Sequence, residues 1–95
     1  MSGGESSSRR TAIFGGRVQG VGFRYTTQRI ARRFPLAGYV QNLADGRVLL
    51  VAEGDAAALE RFFRAVREQL SEYIESAEIA DGPASGEFQG FDIRF

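Results

Sequence analysis

The apolar residues of this chain change period several times, and the order of those changes limits the fold more than any other feature. Thr11-Ala12-Ile13-Phe14 reads as the core of a strand that runs out into Gly15-Gly16. From about residue 21 to residue 34 the period becomes helical, with Phe23, Thr27, Ile30 and Phe34 on one face and Arg29, Arg32 and Arg33 off it. Pro35 predicts the end of that helix, because the residue before a proline avoids the helical region. Residues 38–43 read as a second strand, and Ala44-Asp45-Gly46 as a tight turn. Arg47-Val48-Leu49-Leu50-Val51-Ala52 is almost unbroken apolar sequence, as expected for a strand near the middle of a sheet. Gly54 closes that strand and Asp55 is suited to cap the next helix, whose stripe is Leu59, Phe62, Phe63, Val66 and Leu70. Glu60 and Arg64 are spaced to form a surface pair on it.

A fourth strand is expected at residues 74–80, a loop at 81–86, and a short last strand at 90–95 in which Phe91, Ile93 and Phe95 alternate with Asp92 and Arg94. The order strand, helix, strand, strand, helix, strand, plus a terminal strand, predicts an α+β fold. Two helices stack on one face of a mostly antiparallel sheet, in the split βαβ arrangement. Residues 1–9 carry mostly small polar side chains and are expected to form a disordered tail, leaving residues 10–95 as one domain.

Composition removes several chemistries. The chain has no cysteine and no histidine, and all twelve of its basic residues are arginine. A thiolate nucleophile, a zinc-thiolate site, a Ser-His-Asp triad, an imidazole base, a lysine-bearing P-loop and a Schiff base are all excluded. No apolar run approaches the roughly 20 residues of a membrane span, and the start of the chain has no secretory pattern. A cytoplasmic monomer is the expectation. The formal charge is zero, yet residues 1–47 hold eight arginines and two acids while residues 48–95 hold four arginines and ten acids. The basic half draws in an anion or is simply a solvated face.

That basic half contains Gly16-Arg17-Val18-Gln19-Gly20-Val21-Gly22-Phe23-Arg24, between the first strand and the first helix. Glycines let the backbone turn its N–H groups toward one point, the helix start adds free amides, and Arg24 adds a forked guanidinium. This is a cradle for an oxyanion, and a phosphoryl group is the expected occupant. A dinucleotide fingerprint fails, since Tyr25 stands where a third glycine would be required. Asn42, at the end of the second strand and just before a turn, is the other side chain that stands apart from the packing pattern. Its bland reading is that it starts the turn.

The glycine-rich segment resembles the first signature of the acylphosphatases. Gly38-Tyr39-Val40-Gln41-Asn42-Leu43-Ala44-Asp45-Gly46-Arg47-Val48 resembles the second, and Gly90-Phe91-Asp92-Ile93-Arg94-Phe95 is similar to the family's C-terminal strand. The resemblance implies a ferredoxin-like α/β sandwich and hydrolysis of acyl phosphates to a carboxylate and inorganic phosphate, without a metal or other cofactor. It implies that Arg24 holds the substrate phosphate and that Asn42 orients the attacking water. The backbone amides of Arg17, Val18, Gln19, Gly20, Val21, Gly22 and Phe23 would wrap the phosphate oxygens. The chain departs from the family at Tyr39, where tryptophan is common, at Gly15, where a side chain is usual, and at Phe95, where tyrosine is usual.

Elementary chemistry agrees. The leaving group of an acyl phosphate is a carboxylate, whose conjugate acid has a pKa of roughly 4. It departs without a strong general acid, so positioning and charge stabilisation suffice. An alkyl phosphate must expel an alkoxide, which this residue set does not suit. The alternative reading is a non-catalytic module of the same fold that binds phosphate, another anion or RNA. The third strand lacks the aromatic motif of an RNA-reading sheet, so nucleic acid is not expected as a partner.

Overall fold

A computed structural model describes residues 7–95. Its elements are β1 (Ser7–Gly16), α1 (Phe23–Ala31), β2 (Leu36–Asn42), β3 (Val48–Asp55), α2 (Ala56–Gln69), β4 (Ile74–Pro83) and β5 (Phe91–Arg94). The five strands form one sheet in the order β4-β1-β3-β2-β5. β3 is central, as its unbroken apolar run predicts. The β1–β3, β1–β4 and β2–β3 pairs are antiparallel and β2–β5 is parallel. Both helices pack on one face, which is the expected split βαβ arrangement.

The core lies between that face and the helices. Phe14, Val40, Val48 and Leu50 from the sheet meet Phe23 and Ile30 of α1 and Leu59, Phe62, Phe63 and Val66 of α2, all buried. Phe62 stands at the seam, with its ring 5.8 Å from Phe34 and 5.7 Å from Phe91 between centroids. Fully burying each such side chain contributes about 1.5–3 kcal/mol. This face fixes the ends of β1 and β2 relative to the start of α1. Among the described residues, no helix is long and apolar enough to cross a membrane.

Several boundaries differ from expectation. β2 starts at Leu36 and not at residue 38, and β3 is not closed by Gly54 but runs on to Asp55, because the longer β1 and β2 pair with Gly54 on either side. The predicted tail is corrected at its inner end: residues 1–6 lie outside the described residues, but Ser7, Ser8 and Arg9 extend β1, opposite Asp55, Gly54 and Glu53 of β3. Arg9 carries the reason, since its guanidinium bonds Glu53 at 2.8 Å and Glu87 at 2.7 Å. Asp81, Gly82 and Pro83, expected in a loop, continue β4, with Arg10 bonding Asp81 at 2.7 Å. Pro83 is tolerated because β4 is an edge strand. Finally, α1 is shorter than residues 21–34. The left-handed backbone of Gly22 delays its start, and i→i+3 bonds from Arg33 and Phe34 tighten its last turn ahead of Pro35.

On the sheet face away from the helices, Glu53 is 7% exposed and collects the loop after β4. It accepts from the amides of Ser85 and Gly86, from the Ser85 hydroxyl and from Arg9. Burial alone would raise its pKa. The two amides, then the hydroxyl and the guanidinium, outweigh burial and hold it at about 2.

Candidate active site

Residues 17–22 join β1 to α1, and burial at both ends sets their course. Val18 is wholly buried, and Phe23 packs on Phe14 with ring centroids 5.6 Å apart. Between these anchors Gly20 and Gly22 have φ of 81° and 79°, the left-handed region that costs other residues roughly 1–2 kcal/mol. A Cβ at either position would meet nothing within 4 Å. The glycines are thus required by the backbone rather than by crowding, and the space over them is open.

Gly22 is also the N-cap of α1. It gives the first-turn amides no side-chain acceptor, and that turn contains no acidic residue. The other helix is finished in the opposite way: the Asp55 carboxylate accepts from Ala57 at 3.1 Å and Ala58 at 3.3 Å. A helix start has several unpaired N–H groups and about half a positive charge. In α1 that end is left without a cap. Among the described residues, the amides of Val18, Gly20, Val21 and Gly22 donate to no protein acceptor. Such an end is suited to an anion.

A cavity of about 170 Å³ opens here, lined by Val18, Gly20, Gly22, Phe23, Arg24, Tyr25 and Asn42. Arg24 is half-buried in the first turn of α1. One of its terminal nitrogens donates to the Arg94 carbonyl at 3.2 Å, and its guanidinium lies 4.7 Å from the centre of the Phe95 ring. These contacts hold the fork while leaving other N–H groups for a ligand. Asn42 is the last residue of β2, opposite Val48. The turn after it is fixed by the Arg47 amide and guanidinium, which donate to the Asp45 carboxylate at 3.1 and 2.8 Å.

Arg24 and Asn42 are therefore brought to one cavity, together with Val18, Gly20, Gly22 and Phe23. The remaining sequence candidates are named for their backbone amides, and these residues are not among those that line the cavity. The Arg17 side chain is exposed, Val21 packs against the core, and the Gln19 side chain turns toward the β2–β3 connection. There its amide donates to the carbonyls of Leu43 at 2.8 Å and Arg47 at 2.9 Å, tying the glycine loop to the turn beside Asn42. Sequence reasoning missed this strap, the contacts of Arg94 and Phe95 with Arg24, and Tyr25. Adjacency to Arg24 was the one available signal for Tyr25.

A larger groove of about 590 Å³ lies along α2 and β4 and includes Arg10 and Arg64. Two of its three guanidiniums are engaged, Arg10 with Glu60 at 3.0 Å and Asp81 at 2.7 Å, and Arg64 with Glu60 at 3.4 Å, while the third, Arg67, shares the groove with the carboxylates of Glu60 and Glu68. An anion there would compete with carboxylates, so the smaller cavity is the candidate. Among the described residues, no group of three or more acidic side chains is placed to hold a metal ion.

The sequence model of the acylphosphatase family matches residues 10–93. The chain belongs to the acylphosphatase family. It is 42% identical over 90 residues to the acylphosphatase of Salinibacter ruber, across 94% of this chain and 95% of that one. It is 39% identical over 95 residues to that of Rubrobacter xylanophilus, across 99% and 86%. The crystal structure of the Bacillus subtilis acylphosphatase superposes with a TM-score of 0.83 at 34% identity, covering 93% of this chain and 99% of that one. The fold is the ferredoxin-like one that the sequence resemblance implied, and the chain is an acylphosphatase, a hydrolase of acyl phosphates. In this acylphosphatase the two signature segments are the ones that meet at the cavity.

Proposed function

We propose that Arg24 and the amides of residues 17–23 hold the substrate phosphoryl group, and that Asn42 holds the attacking water. One observation carries this reading: the uncapped start of α1 opens onto the single cavity that also receives Arg24 and Asn42. Amides and guanidinium would meet the charge spread over the equatorial phosphoryl oxygens. The Asn42 amide can both accept from and donate to a water, aligning it with the departing oxygen.

The water oxygen attacks phosphorus, the bond from phosphorus to the acyl oxygen breaks, and its electrons leave with the carboxylate. An amide is not a base, so the proton of the water passes to a phosphoryl oxygen of the substrate. Acetyl, carbamoyl and larger acyl phosphates all fit a site that grips mainly the phosphate. Hydrolysis of benzoyl phosphate in ¹⁸O-labelled water tests the direction of attack. Label in inorganic phosphate is the expected result, and label in benzoate would overturn attack at phosphorus. Acyl phosphates should turn over with a chelator present while alkyl phosphates remain intact. A pH–rate profile requiring an enzyme base near neutrality would contradict proton transfer to the substrate.

Of the exposed large apolar side chains, Ile79 on β4 is the one outside the neighbourhood of Arg24, and Tyr25 and Phe95 flank the cavity rather than form a broad apolar face. This supports a monomer, and a single species of about 10 kDa by light scattering is expected.

A further inference from the structure

We infer that Tyr25 sets the preference for the acyl group, by offering its ring to aromatic and bulky apolar acyl moieties. The inference rests on the site reading above and concerns the half of the substrate that reading leaves free. The cavity is about 170 Å³, well below the roughly 300 Å³ at which sites begin to enclose a whole drug-sized ligand. It has room for a phosphoryl head and a water, so the body of the acyl group lies at the rim. Asn42, at the end of β2, is half-buried, whereas Tyr25, in the first turn of α1, is 62% exposed and lines the same cavity. In-line displacement sends the leaving group away from the water, so with the water on Asn42 the acyl group departs toward the α1 side, where Tyr25 stands.

A lone exposed aromatic ordinarily needs no explanation. Tyr25 differs from the other two exposed large apolar side chains. The Phe95 ring serves Arg24, and Ile79 borders the α2–β4 groove. The Tyr25 ring has no aromatic or cationic partner and its hydroxyl has no hydrogen bond among the described residues, yet it lines the cavity of Arg24 and Asn42. An aromatic face kept free there suits ring-on-ring contact with a substrate. That contact exists before and during reaction, so it lowers KM without changing kcat.

The experiment compares benzoyl phosphate with acetyl phosphate for the wild type, Tyr25→Ala and Tyr25→Phe, with inorganic phosphate binding measured in parallel. Tyr25→Ala should raise KM for benzoyl phosphate by about 5- to 10-fold and leave acetyl phosphate kinetics and phosphate affinity unchanged. Tyr25→Phe should keep the wild-type preference, because the ring and not the hydroxyl makes the contact. Equal losses on both substrates, or no loss on either, would overturn the inference while leaving the site reading intact. A wild-type protein idle on both substrates would overturn the site reading and this inference with it.

Discussion

The Gln19 side chain is the only hydrogen-bonded side-chain link seen among the described residues between the glycine loop and the turn after Asn42, and removing it tests whether the two halves of the site must be held in register. Gln19→Ala deletes two part-buried bonds, of 2.8 and 2.9 Å. Neither carbonyl is orphaned, because Leu43 also accepts from Gly46 at 3.2 Å and Arg47 also accepts from Leu43 at 2.8 Å. The loss therefore stays near the ordinary value for a net hydrogen bond, about 1 kcal/mol each and about 2 kcal/mol together. In a domain of this size that lowers the melting temperature by on the order of 10 °C.

The kinetic effect should be larger than the thermal one suggests. Val18 and Phe23 still anchor the loop, so phosphate affinity should change little. The water that Asn42 is proposed to hold would lose its fixed position relative to the proposed phosphate cradle, and a displacement of about 1 Å lowers kcat by up to roughly 100-fold. Gln19→Glu should be worse than alanine, since it sets a carboxylate against two carbonyl oxygens. Thermal melts, steady-state kinetics with benzoyl phosphate and phosphate titration read all three quantities. A destabilised variant with wild-type kcat would refute the registry argument. An unchanged melting temperature would show that the two bonds contribute nothing in solution.

Arg24→Ala should nearly abolish turnover and weaken phosphate binding, with Arg24→Lys a poor rescue because lysine lacks the planar fork; Asn42→Ala should lower kcat strongly while phosphate still binds, and wild-type rates in either variant would remove that residue from the mechanism. Glu53 titrates at about 2 in the folded chain against an ordinary 4.5, so its contribution is complete above pH 4.5 and fades as pH falls toward 2. The difference corresponds to at most about 3 kcal/mol, and denaturant melts of Glu53→Gln should show a lower stability at pH 7 and a weaker acid dependence than wild type. Thr27 is fully buried with its hydroxyl unpartnered, so Thr27→Val should stabilise α1 packing by about 1 kcal/mol, and a lower melting temperature would show that the hydroxyl is satisfied in solution.

The parts of the structure legible in the sequence were those that periodicity or stereochemistry alone decides. Two helical stripes, an unbroken central strand and the Asp55 cap all follow from local pattern. The extension of β1 back to Ser7 does not, because serine has no strand preference to read. What orders that segment is Arg9 reaching Glu53 and Glu87, residues 44 and 78 positions away. Asp81, Gly82 and Pro83 were misread for the same reason, since turn-forming residues become strand once a longer β1 lies beside them. At the site, the signatures located Arg24 and Asn42 on two elements, but no spacing rule says that those elements end at the same place. That follows from sheet order: β1 and β2 flank β3 on opposite sides, and α1 crosses between them. The Gln19 strap and the Phe95 ring were equally hidden, because each is a contact between segments distant in sequence.

The two helix starts show how stability and catalysis divide within so small a fold. An N-cap side chain contributes about 1 kcal/mol, and α2 takes that contribution from Asp55. At α1 a capping oxygen would occupy the open space above Gly22, where the substrate phosphate is proposed to bind. Capping and catalysis thus compete for the same amides. The fold holds α1 by other means, through the Phe14–Phe23 ring contact, the burial of Ile30 and Ala31, and the bond from Gln28 to the Phe91 carbonyl at 3.1 Å. Ile30, Ala31 and Gln28 lie away from the helix start, and Phe23, at the start itself, turns its ring inward onto Phe14, so none of these side chains takes up a first-turn amide. The amides can then stay unpaired until an anion arrives, because the helix does not depend on them to remain folded.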